Sequence, residues 1–108
     1  MALGVTLALR YLRGGGRARA VGVVHGLVGA AGLGLLIVAL QGPRRGQAMG
    51  VGSFGVVASV LFGIALTFGP FIPLTVKRSP RVAGVILAAH ATVAITGFVL
   101  LLAWVSMG

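Results

Sequence analysis

The chemistry available to this chain rests on two histidines in matching surroundings. His25 is followed by Gly29 at i+4 and Gly32 at i+7, and His90 by Ala94 and Gly97 at the same spacings. On a helix these positions share one face with the histidine. A face with one imidazole and then two small residues leaves room for a flat ligand. Two such faces can grip a porphyrin, with His25 and His90 as axial ligands of its iron. The expected cofactor site is therefore His25 and His90 as metal ligands, with Gly29, Gly32, Ala94 and Gly97 making space for the macrocycle.

Composition removes most other chemistry. The 108 residues contain no Asp, no Glu and no Cys. A Ser-His-Asp triad, a paired-carboxylate hydrolase and a carboxylate calcium or magnesium site are excluded. So are thiolate zinc sites, iron–sulfur ligation and covalently attached c-type haem. Non-covalent haem b needs only imidazoles and survives. The chain is expected not to be catalytic on its own and to serve at most as an electron-transfer subunit.

The elements that must position the histidines are membrane spans. Hydrophobic residues make up 58% of the chain and charged residues 8%, against about 25% charged in soluble domains. The expected fold is all-α and integral to the membrane, one transmembrane domain over residues 1–108. Residues 1–19 form a basic N-terminal arm whose first dozen residues are too short to cross a bilayer, which takes about 20 residues. They are expected to form a short interfacial helix or a loose arm. Spans are expected at about 20–41, 51–75 and 81–105. The first is read as retained, because it is too long for a signal peptide and no small-x-small cleavage site follows. Gly69, Pro70 and Pro73 should kink or unwind the end of the second span. Ser79 and Pro80 suit the N-cap and first residue of the third. Tyr11 and Trp104 are expected as interfacial anchors.

Orientation follows from the cations. Arg10, Arg13, Arg17, Arg19, Lys77, Arg78 and Arg81 fall on one side and only Arg44 and Arg45 on the other. The positive-inside rule puts the seven, and the N-terminus, in the cytoplasm, as expected for a multi-pass protein of the inner membrane. The first and third spans then run in the same direction. His25 lies six positions after Arg19 and His90 nine after Arg81. The difference of three residues is roughly 4–5 Å of helical rise, within what tilt accommodates. Arg17, Arg19 and Arg81 near the cytoplasmic ends are candidate contacts for haem propionates or lipid.

Competing readings stand beside this one. Gly22, Gly26, Ala30 and Gly34 form a small-residue ladder, as do Gly55, Ser59 and Gly63, and Gly84, Ala88, Thr92 and Thr96; such ladders bring helices together without a cofactor. Each histidine can also bind a neighbouring carbonyl or ligate a chlorophyll-type pigment. Ser53, Ser59, Thr67, Thr92 and Thr96 are expected to hydrogen-bond between helices, and the five phenylalanines to face lipid or a partner. Gly50-Val-Gly52-Ser-Phe-Gly55 matches the dinucleotide fingerprint, but that pattern has its meaning only after a strand, and here it opens a span. Nucleic acid is discounted as a partner despite the charge of +9, because the cations cluster beside apolar runs with no aromatic platform among them.

The histidine placement resembles that of small cytochrome b membrane anchors. Small-residue faces on all three spans should meet another polypeptide, so the expected role is an accessory or anchor subunit of an energy-transducing redox complex, relaying electrons to or from quinone if haem is present. Its partners would be other membrane subunits and anionic lipids. The alternative is a cofactor-free structural subunit packed against partner helices and anionic lipid.

Overall fold

The computed structural model describes residues 1–13 and 18–108. It is helical, with no strand among the described residues. The helices are α1 (Ala2–Leu12), α2 (Ala18–Leu40), α3 (Phe54–Phe68), α4 (Phe71–Thr75) and α5 (Pro80–Met107). Three stretches are long and apolar enough to cross a membrane: Arg19–Leu40 and Phe54–Thr75, 22 residues each, and Pro80–Met107, 28 residues. At about 1.5 Å per residue, 22 residues extend about 33 Å, comparable to a hydrocarbon core of about 30 Å.

Local chemistry sets the breaks. Pro70 has no N–H to return to the carbonyl of Leu66, so α3 ends at Phe68 and the short α4 restarts at Phe71. The interruption expected from Pro70 and Pro73 is thus present at Pro70, while Pro73 lies within α4. Ser79 caps α5, its Oγ accepting from the Val82 N–H at 3.3 Å, with Pro80 as the first helical residue.

Packing is anchored at the end of the bundle away from Pro80. Leu36 of α2, Ala58 of α3 and Trp104 of α5 form the buried core there, with Leu40, Phe54 and Phe62 around it. Gly55 makes this possible. A Cβ on it would stand 2.8 Å from Leu40 Cδ2 and 2.9 Å from the Trp104 ring. Trp104 is therefore a core residue, only 5% exposed, and not the membrane-surface anchor expected for it. Its indole fills the space that the glycine leaves.

α3 packs mainly on α5, and α2 leans on α3. The N-terminal helix is not a loose arm. α1 packs against α2, with Gly4 beside the His25 ring. At its other end the Tyr11 hydroxyl donates to the Pro80 carbonyl at 3.4 Å. Gly4 and His25 lie at comparable distances from the connecting residues 14–17, so α1 folds back along α2. An apolar stretch too short to span still buries surface by covering a neighbour.

The hydroxyls also depart from expectation. Thr67 donates to the Gly63 carbonyl at 3.0 Å, Thr92 to Ala88 at 2.8 Å, Thr96 to Thr92 at 2.8 Å and Ser59 to Val56 at 2.7 Å. Each bonds its own helix instead of a neighbour, because a carbonyl one turn back is always in reach. Ser53 makes no side-chain cap bond to α3.

Candidate functional site

The two histidines meet. The centroids of the His25 and His90 rings are 6.2 Å apart, with planes at 77°. The offset of three residues estimated along the chain is thus taken up by the arrangement of α2 and α5. Both histidines line a groove of about 1880 Å³, walled by α2 and α5, floored by Phe62, Ala65 and Leu66 of α3 and covered at one end by α1 and α4. Its surface is overwhelmingly apolar. It is larger than the about 300–1,000 Å³ usual for a small-molecule site.

The rings are held differently. His90 Nδ1 lies 2.8 Å from the carbonyl oxygen of Ala65. A carbonyl can only accept, so Nδ1 carries the proton and donates, and in the neutral ring Nε2 keeps its lone pair. Ala65 O also accepts the Gly69 N–H at 3.0 Å, the last turn of α3 before the Pro70 break. His90 is therefore oriented by the end of α3, and Gly69 leaves room for it: a Cβ there would be 3.6 Å from His90 Cε1. His25 makes no hydrogen bond among the described residues. Its ring is positioned by packing, with the site of a Gly4 Cβ 3.3 Å from Cε1 and 3.8 Å from Nε2.

The small residues divide. Gly32 and Ala94 line the groove, and a Cβ on Gly32 would meet nothing within 4 Å. Gly29 lines it at the α3 side, where a Cβ on it would stand 3.4 Å from Leu66 Cδ2. Gly97 does not contribute. It is buried against α3, where a Cβ would stand 3.2 Å from Leu61 Cβ and 3.3 Å from the Phe62 ring. The face of α5 that carries His90 looks partly at α3, and one further turn along it is fully covered.

The cations divide too. Arg19 lines the groove at the end covered by α1, and Lys77 joins it from the turn after α4. Arg81 is exposed and lies outside the lining. Arg17 lies outside the described residues. Sequence reasoning missed Lys77 because the short α4, invisible as an element beforehand, decides which way that turn faces. It also missed Phe62 and Phe98, which line the groove instead of facing only lipid.

Chemically, two imidazoles lining one groove could ligate a metal whose other ligands arrive with it. At 6.2 Å and 77° the two rings stand in T-shaped contact. No group of three or more metal-ligating side chains occurs among the described residues, so a bare ion would lack ligands, whereas a porphyrin brings four of its own. A histidine donating its second nitrogen to a backbone carbonyl is the usual outer-shell arrangement of a metal ligand. Comparison with family profiles, with curated proteins and with solved structures finds no match to this chain.

Proposed function

We propose that this chain is a small accessory subunit of an energy-transducing membrane redox complex, holding a haem b between His25 and His90 and relaying electrons to or from quinone. The observation that carries the reading is the meeting of the two imidazoles in one apolar groove, one of them with its Nδ1–H committed to Ala65. Haem supplies one-electron chemistry when bound. The chain's own part is to ligate, to orient and to keep water out, with burial and the nearby Arg19 and Lys77 setting the potential. Those two cations would face the propionates. In this reading the seven-cation end lies in the cytoplasm of an inner-membrane protein.

A role as packing subunit is supported by different residues. A Cβ on Gly26, Gly34, Gly63 or Gly84 would meet nothing within 4 Å. Small residues that touch nothing inside the chain suit close approach by partner helices. This reading is compatible with haem binding and is the whole function if haem does not bind.

The test is a titration of the purified chain with haem in detergent. The expected result is a saturable Soret band at one haem per chain and a sharp α band on reduction. Both should disappear in His25→Ala and in His90→Ala. A colourless chain at saturating haem overturns the redox reading and leaves the packing subunit.

A further inference from the structure

We propose that the opposite end of the bundle is a binding site for the phosphate headgroup of an anionic phospholipid, gripped by Arg44, Arg45 and Gln47. The three side chains line a concave pocket of about 210 Å³ whose other wall is the apolar surface of Leu40, Val56 and Trp104. The pocket is built into the loop. Gly46 and Gly50 take positive φ values of 74° and 72°, conformations that favour glycine. The Val51 N–H donates to Gly46 O at 2.9 Å and the Gly50 N–H to Gln47 O at 3.2 Å. Gln47 lies across Gly52, whose missing side chain gives its carboxamide room. The Arg45 guanidinium stands 5.8 Å from the Trp104 ring centre, a cation–π distance. That attraction positions the charge without consuming its N–H donors.

Charge and polarity identify the occupant. The chain has no acidic side chain, so neither arginine can find a side-chain carboxylate within it. Phosphate suits guanidinium donors in pairs. A soluble anion would need only the charged wall. Here the apolar wall continues directly onto the outer face of α3, where Val56 is 53% exposed, at the end of helices long enough to cross a membrane. An anion with an attached acyl chain satisfies both walls. This site shares no residue with the histidine groove and stands or falls separately.

Trp104 is the chain's only tryptophan and reports on the pocket directly. The full chain in neutral detergent is titrated with phosphatidylglycerol, phosphatidylcholine and inorganic phosphate, following Trp104 emission and the lipid retained in native mass spectra. Phosphatidylglycerol should bind tightest, with affinity falling about fivefold for each arginine changed to Gln. Arg44→Gln, which leaves the Arg45–Trp104 pair in place, guards against a merely structural effect. Arg78→Gln at the other end should change nothing. Equal binding of the two lipids overturns the proposal, as does unchanged phosphatidylglycerol binding in Arg44→Gln,Arg45→Gln. Inorganic phosphate reproducing the lipid response would reduce the pocket to a simple anion site and overturn it as well.

Discussion

Gly4 gives the sharpest handle on how the groove holds its ligand. A Cβ on Gly4 would stand 3.3 Å from Cε1 of His25, 3.8 Å from Nε2 and 4.0 Å from Nδ1. Gly4→Ala therefore asks the imidazole to yield by a few tenths of an ångström. In the empty groove it can, because the ring is only half-buried and makes no hydrogen bond among the described residues. With iron bound it cannot, since a bond from a ring nitrogen to the metal would fix the ring in place. The gain in helix propensity, about 0.8–1 kcal/mol for Gly to Ala, applies to both states and cancels in the binding equilibrium. What remains is overpacking in the bound state, typically about 1–3 kcal/mol, a weakening of haem affinity by a factor of about 5–150. Gly22→Ala is the control. It is also a glycine-to-alanine change in a groove-lining helix, but its Cβ would meet nothing within 4 Å, so affinity should hold. Soret titrations of the two variants, with far-UV circular dichroism to confirm equal helix content, measure the difference. Equal affinities for Gly4→Ala and Gly22→Ala would refute the seating of α1 against His25.

Gly55→Ala and Gly84→Ala share the same propensity gain, but only Gly55 meets Trp104 and Leu40. The first should be less stable than the second by about 1–3 kcal/mol, read by Trp104 emission during unfolding in denaturant. Equal stabilities would contradict the packing of the core. Arg19→Gln together with Lys77→Gln should weaken haem binding by about 2–30-fold, from about 0.2–1 kcal/mol per exposed charge, and less so in high salt. Arg81→Gln should leave it unchanged. Loss in Arg81→Gln instead would return the propionate contact to the residue expected from sequence.

How much of this was legible in the residues can be argued element by element. The three long helices were, because runs as apolar as Val21–Leu40 have no solvated alternative. The break in the second span was, since Pro70 lacks the N–H that would continue it. The meeting of His25 and His90 followed from their similar distances from the basic ends. The phase of contact was not legible. Gly97 shares a face with His90, as helical spacing requires, yet that face turns toward α3 at Gly97 and toward the groove at Ala94. Helical periodicity identifies which residues lie together but not which neighbour they meet. Trp104 reads as an anchor until the gap at Gly55 is seen. Gly4 carries no signal at all, because its role is to be absent where His25 needs room. Lys77 was hidden by the same limit, since its direction depends on a five-residue helix after a proline break.

The most direct measurement is the electron paramagnetic resonance spectrum of the chain loaded with ferric haem, because it reads both axial ligands at once. Two imidazoles give low-spin iron, and ring planes near the observed 77° give the single large g value of crossed ligands. A low-spin signal is expected, converted to high spin when either His25 or His90 is changed to Ala. A high-spin signal from the unaltered chain would contradict it.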